Sequence, residues 1–395
     1  MATLRGQDRS NTCLEEMMDR AIQRRASDLH FAIDRPPILR VNQRLERQGD
    51  VPDLDNYQLQ VIAGFLLLDG FHGGYRIPSA GGDRPIPGWQ ADHDLAVEYG
   101  GWRWRANVHQ QRGTPSISLR LIPSQPPRLS DLGLPQAMER LGQLRQGLVL
   151  VCGPTSSGKT STLAALVEQI NTSRAERIIT LEDPIEYIYQ DKLANIIQRE
   201  IGPIEKDNLT IPGDTVSFER GLKSALRMDP NIILIGEMRD PVTVQTALSA
   251  AESGHLVFST LHSRDVVGTI GRVIGFFSES QKSEVRYQLS TVLRGVACQA
   301  LVPSVDGARP AAVVELMLPN EQCGQMIREK REAELPNMLE TDRTGMQAFD
   351  QALAFQVAAG RVDAEEARAW THNEGRFRTW LPRLQEFLDA RRTAA

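Results

Sequence analysis

No run of apolar residues in this chain is long enough to cross a membrane. The longest candidate, VIAGFLLL at 61–68, falls far short of the roughly 18 residues that a spanning helix needs. The opening stretch, MATLRGQDRSNTCLEEMMDR, lacks the apolar segment of a secretory signal. Cysteine is scarce. Cys13, Cys152, Cys298 and Cys323 are scattered without a Cys-x-x-Cys pair, which argues against a disulfide framework and a thiolate zinc site. An excess of positive charge is missing as well: 45 Lys and Arg stand against 50 Asp and Glu, a formal net charge of −5. No nucleic-acid partner is therefore expected. Internal repeats and low-complexity tracts are absent. Together these absences predict a protein of the reducing cytoplasm, joined to a membrane only through partners.

At 395 residues, 41% hydrophobic and 24% charged, the chain has an ordinary globular composition and enough length for two domains. Residues 14–26 place Leu14, Met17, Met18, Ala21 and Ile22 at helical spacing. Alternation at Leu29, Phe31 and Ile33, then a break at Pro36-Pro37, predicts two short strands. Residues 56–68 read as a helix and 72–88 as a Gly/Pro-rich loop. Strands are expected on both sides of Gly100-Gly101 and again after Gly113-Thr114-Pro115. In the second of these, Trp102, Trp104, Ala106 and Val108 share one face, leaving Arg103, Arg105 and Asn107 on the other. In the third, Ile117, Leu119 and Leu121 point inward while Ser118 and Arg120 face away. The proline-rich PSQPPRLS at 123–130 reads as a linker. Beyond it, apolar runs at 147–152, 177–181, 231–235 and 255–261 alternate with helical segments, the pattern of a mostly parallel α/β sheet. From about residue 280 the pattern turns mainly helical, with a short strand at 311–317.

The run GLVLV is followed by CGPTSSGKTST, and Gly153 to Gly158-Lys159-Thr160 has the spacing of a phosphate-binding loop. Glycines let the backbone aim several N–H groups at one anion, and the helix that follows adds unpaired donors and a positive dipole end. Lys159 would reach the β- and γ-phosphates and the Thr160 hydroxyl would ligate Mg²⁺. Three later stretches refine the reading. ITLEDPIEY (179–187) ends a strand in Glu182, Asp183 and Glu186, at the strand end where ligands gather in parallel sheets. PNIILIGEMRD (230–240) carries Glu237 after four apolar residues, where an acid orients water or metal beside the γ-phosphate. GHLVFSTLH (254–262) is bracketed by His255 and His262, candidates for sensing or relaying phosphate state. No third ligand sits near these histidines, so they do not read as a metal site.

GPTSSGKTSTLAAL, TLEDPIEY, ALRMDPNIILIGEMRD and AAESGHLVFSTLH, in this order, resemble the bacterial secretion ATPase superfamily, the hexameric motors of type II and type IV secretion and of type IV pili. SDLHFAIDRPPILRVNQRL and WRWRANVHQQRGTPSISLRLIP resemble the family's N-terminal domain. MIREKREAELPNMLETDRTGMQAFDQAL resembles the C-terminal part of its pilus retraction branch. The resemblance covers about residues 12 to 370. It implies an α/β fold: a PAS-like α+β domain over 1–122, a linker at 123–130, and a RecA-like P-loop ATPase domain over 131–395 whose C-terminal part, about 280–395, is helical.

The resemblance also implies roles. Gly153, Pro154, Thr155, Ser156, Ser157, Gly158, Lys159, Thr160 and Ser161 would hold ATP, with Thr160 and Glu237 at the Mg²⁺ ion. Glu237 would orient or deprotonate the attacking water. Glu182, Asp183 and Glu186 would form an acidic cluster, and His255 and His262 would couple phosphate state to the N-terminal domain. Arg105, Arg112 and Arg120 would bring positive charge to the phosphates. A homo-hexamer working against an inner-membrane platform protein, and driving pilus retraction and twitching motility, is the implied setting. The alternatives are a type II or type IV secretion ATPase, or a nucleotide-binding accessory subunit with little turnover. The chain departs from the family at Ser156-Ser157 and Thr160, where relatives often carry Thr-Gly and Ser. It also has a polar insertion at 203–214, a partial match at 320–329, and a basic tail at 376–395.

Overall fold

A computed structural model describes residues 4–41, 44–67, 92–122, 125–202, 213–307, 309–342 and 344–394. The loop expected at 72–88 lies outside these, as does the expected insertion at 203–214 except for Gly213 and Asp214. The chain forms two compact units, one built on Met1–Gln125 and the other on residues from Pro126 onward, short loop pieces apart. Among the described residues no helix is long and apolar enough to cross a membrane.

The first unit begins with α1 (Leu4–Gln23), which starts earlier than the apolar spacing predicted. It stops where Arg25 takes a left-handed conformation (φ 52°) and the Ala26 N–H donates to Ala21 O. Strands β1 (Asp28–Phe31), β2 (Ile38–Val41), β3 (Arg44–Arg47), β4 (His93–Tyr99), β5 (Trp102–Gln111) and β6 (Thr114–Ile122) make one antiparallel sheet in the order β3-β2-β1-β6-β5-β4. Alternation buries Leu29, Phe31, Leu39, Trp104, Ala106, Val108, Ile117 and Leu119 on one face. Leu14, Met17 and Met18 of α1 and Leu59, Ile62 and Leu66 of α2 (Asn56–Leu67) complete that core. Strand β3 was not foreseen, because it is a polar, exposed edge without apolar alternation.

The second unit is built on a seven-stranded sheet. Its strands are β7 (Gly147–Cys152), β8 (Arg177–Glu182), β9 (Asn195–Glu200), β10 (Ile232–Ile235), β11 (Leu256–Leu261), β12 (Leu293–Val302) and β13 (Ala311–Met317), in the order β13-β12-β7-β11-β10-β8-β9. The sheet is parallel except for the β12–β13 pair. Helices cover both faces, so β7, β10 and β11 are buried at every residue and read as unbroken apolar runs. Beyond residue 280 the helical reading needs correction. Residues 293–302 are β12, the strand paired directly with β7. Burial on both faces removes any alternation from LRGVACQALV, and no turn residue separates it from the preceding helix, α7 (Lys282–Val292).

β12 also brings Cys298 into register with Cys152, so two of the four scattered thiols are buried neighbours. The outer faces of β12 and β13 carry a last helical layer. Ala300, Val302 and Val313 pack there against Phe349 and Leu353 of α10 (Phe349–Ala358) and against the two helices that follow, α11 (Ala364–Trp370) and α12 (Glu374–Ala394).

Glu315 of β13 ties this layer to the sheet. Its carboxyl accepts from the Val266 N–H (2.7 Å), at the start of α6 (Val266–Gly275), and from the Phe349 N–H (3.3 Å), at the start of α10. Burial, reinforced by the Asp265 and Asp350 carboxylates, pushes its pKa up from 4.5 to about 7. Between these values the folded chain keeps a proton that the unfolded chain has released, so this contribution to stability is present at acid pH and lost as pH rises through 7. A displacement of this size corresponds to about 3 kcal/mol. Glu315→Gln removes the titration, so the stability of the wild type relative to the variant should fall by roughly that amount between pH 5 and pH 8. Urea midpoints of both chains across that range check it, and parallel profiles would assign the effect elsewhere.

Candidate functional site

The phosphate loop follows β7 and opens α3 (Lys159–Ser173). Gly153 has φ 147°, and a Cβ there would stand 2.3 Å from the backbone oxygen of Gln299, so no side chain fits. Gly158, left-handed at φ 86°, caps the helix. Pro154, Thr155 and Ser156 are exposed, whereas Gly153 and Ser157 are buried. The Lys159 ammonium donates to Gly153 O (2.9 Å) and Pro154 O (2.8 Å), which places its charge across the mouth of the loop. Thr160 and Ser161, in the first turn, are half-exposed.

Glu182, Asp183, Glu237 and His262 reach the carboxyl edge of the same sheet from neighbouring strands. The turn after β10 is stitched on both sides: Gly236 N–H donates to Leu181 O (2.7 Å), and Thr260 Oγ1 donates to Gly236 O (2.5 Å). These bonds hold Glu237 with its carboxylate half-buried. Its Oε1 lies 3.4 Å from His262 Nε2, just past the end of β11, and its Oε2 accepts from Arg239 Nε (2.8 Å). Arg239 lies 3.9 Å from Asp183 on its other side. Its guanidinium pKa is raised, first by the hydrogen bond to Glu237 and then by the charges of Glu237 and Asp183. An Asp183–Arg239–Glu237–His262 chain thus crosses the ends of β8, β10 and β11. A carboxylate offers about four lone-pair positions, so these contacts leave Glu237 able to accept from a water. Glu182 is buried at the end of β8, accepting from Thr180 Oγ1 (2.6 Å) and Gln198 Nε2 (3.2 Å). Glu186 is half-exposed in the loop beyond.

His255 does not belong to this edge. It precedes β11, at the end where Leu256 pairs with Gly147, whereas His262 follows the pair Leu261–Cys152. The length of the strand, about 20 Å, separates the two histidines. Its Nδ1 lies 3.0 Å from both Ala250 O and Ser253 Oγ, and its backbone oxygen accepts from Gly147 N–H. The structure does not bring His255 together with His262, and its contacts close the turn between helix and strand.

In the first unit Arg105 and Arg120 lie opposite the buried face, where the sheet reading put them. Arg105 is directly opposite Arg120, Arg120 opposite Asp28, and Asp28 opposite Arg40, a charged row across four strands. Arg120 Nε donates to Asp28 Oδ1 (3.0 Å), and Arg40 Nε lies 3.5 Å from Asp28 Oδ2. Arg112 is exposed in the turn between β5 and β6, with φ 53°.

Sequence reasoning missed Arg239 and Gln299. Arg239 stands inside the quoted GEMRD, but a cation two residues past an acid carries no periodic signal. Apart from Arg294 near its start, Gln299 is the lone polar side chain in the apolar run of β12. That oddity was legible only once β12 was recognised as a strand. Its side chain donates to Ser157 O (2.6 Å) and accepts from Thr162 Oγ1 (2.9 Å).

Residues 108–309 match the family described as Type II/IV secretion system protein. The chain is 35% identical, over 90% of its length and 97% of the relative's, to the Type IV pilus retractation ATPase PilT of Pseudomonas aeruginosa. It is 39% identical to a twitching motility protein of Neisseria gonorrhoeae, over 69% of this chain and 70% of that one. The crystal structure of the pilus retraction motor PilT with bound ADP superposes with a TM-score of 0.75 at 33% identity, covering 91% of this chain and 97% of that one. With a phosphate loop, an acid–arginine–histidine edge and relatives matched over nearly their full length, this chain belongs to the type II/IV secretion ATPase family, on its pilus retraction branch.

Proposed function

We propose that this chain is an ATP-hydrolysing motor for type IV pilus retraction, assembled as a homo-hexamer on an inner-membrane platform protein. The observation that carries the catalytic part is the Glu237 carboxylate, fixed between His262 and Arg239 at the same sheet edge as the Lys159 loop. The similarity to PilT supports the retraction part. ATP is held by the loop from Gly153 to Ser161, with Lys159 against the β- and γ-phosphates. Glu237 accepts a proton from, or orients, the attacking water. His262 and Arg239 aim that carboxylate, while Asp183 holds Arg239. Glu182 and Glu186 add negative charge at the edge. An Mg²⁺ ion takes only one or two protein oxygens beside phosphates and waters, and the Thr160 hydroxyl with the Glu237 carboxylate fits that demand. When bound, it neutralises charge developing on the transferred phosphoryl group. Arg105, Arg112 and Arg120 supply positive charge to a triphosphate once the ring assembles. Such an arginine contributes roughly 10³ to 10⁵ in rate, which makes turnover depend on assembly.

Steady-state phosphate release with ATP and Mg²⁺ tests the catalytic reading. Lys159→Ala should lower kcat/KM by about 100-fold or more, since it removes a charged donor aimed at the phosphates. Equal, negligible rates in wild type and variant would turn the reading toward an accessory subunit. Glu237→Gln should lower kcat by roughly 10² to 10⁴ while ADP affinity stays near that of the wild type, which calorimetry checks. A deletion strain should lose twitching motility. Intact motility with impaired secretion would assign the motor to a secretion apparatus instead.

A further inference from the structure

Gln299 is nearly fully buried on β12, one residue past the Cys298–Cys152 pair that ends the β12–β7 register. It therefore lies beside the first residue of the phosphate loop. Its amide has a single possible orientation. Ser157 O can only accept, so Nε2 faces it at 2.6 Å; Oε1 then accepts from the buried Thr162 hydroxyl at 2.9 Å, in the first turn of α3. One side chain thus spans the loop and the helix that the loop opens. Gly158 is also closed in from this side, since a Cβ there would meet Gln299 Nε2 at 3.1 Å.

We infer that Gln299 is a positioning residue for the nucleotide phosphates, an inference that rests on the ATP-binding reading above. The physical reason lies in the peptide plane. In a trans peptide the C=O of one residue and the N–H of the next point in opposite directions. By drawing Ser157 C=O toward β12, Gln299 turns the Gly158 N–H away from it, toward the open side of the loop. Thr162, by donating to Oε1, holds the other end of the amide in place. Gln299 touches no phosphate itself; it sets the direction of a group that does. The sheet makes this possible, because β12 inserts beside β7 on the side away from β11.

The test uses the full chain and two probes that engage the loop through phosphates, ADP and inorganic pyrophosphate. Gln299→Met keeps the volume but removes the donor. Affinity for both probes should fall roughly ten- to hundred-fold, the range for losing a hydrogen bond to a buried acceptor, and KM for ATP should rise by more than kcat falls. Thr162→Val should weaken both probes several-fold, and Thr162→Ser, which keeps the hydroxyl, should restore them. A purely structural role would instead lower the unfolding midpoint of the nucleotide-free chain and leave the affinities of the folded fraction unchanged. Wild-type affinity in Gln299→Met overturns the inference. Should that variant not fold, the Thr162→Val and Thr162→Ser pair decides, and equal affinities in the two overturn it. A wild type that binds neither probe refutes the ATP-binding reading itself, a result distinct from either.

Discussion

A loop that binds phosphate with its backbone depends on the directions of a few peptide planes, and a stretch of glycines and hydroxyls does not fix those by itself. Here the support comes from outside the loop. The backbone of β12 crowds Gly153 and the Gln299 amide fastens Ser157, while α3 closes the other side through Thr162. Fixing the donors before a ligand arrives spares the binding event that ordering cost, which is the basis of electrostatic preorganisation. The order of strands does the rest. With β7 flanked by β12 and β11, and β10 and β8 beyond, every group argued to act on phosphate or water in this unit reaches one carboxyl edge.

The second support is ionic. Glu237 is useful only while correctly aimed, and its partners serve that need. His262 and Arg239 approach different oxygens, and Asp183 restrains the arginine from behind. An exposed pair would contribute little, but Arg239 lies between two acids and has less freedom to leave. The charged row of the first unit follows a similar logic with opposite sign. Arg105 faces Arg120 directly, an unfavourable cross-strand pair, and Asp28 lies between Arg120 and Arg40 to offset it.

Much of this was legible in the amino-acid order because the elements concerned obey a single period. The alternation at Trp104, Ala106 and Val108 predicted both the buried face of β5 and the outward placement of Arg105. The apolar runs before Gly153, Asp183 and Glu237 gave β7, β8 and β10. What escaped did so for physical reasons. β12 is buried on both faces and joined to α7 without punctuation, so it resembles a continuing helix. β3 is a polar edge. The placement of His255 depends on which end of a strand meets the loop, and only the register with β7 settles that. Gln299 and Thr162 are 137 residues apart, and no local pattern links them.

Glu315 gives the second unit a mechanical property. Its two oxygens hold the starts of α6 and α10, one a few residues after His262 and the other the beginning of the terminal helical layer. Both bonds converge on one buried carboxyl. The two helix starts are therefore pinned to one point, and neither can rotate away without losing its anchor. A shift of the α10 start thus disturbs the same carboxyl that holds the start of α6, just past the strand end bearing His262.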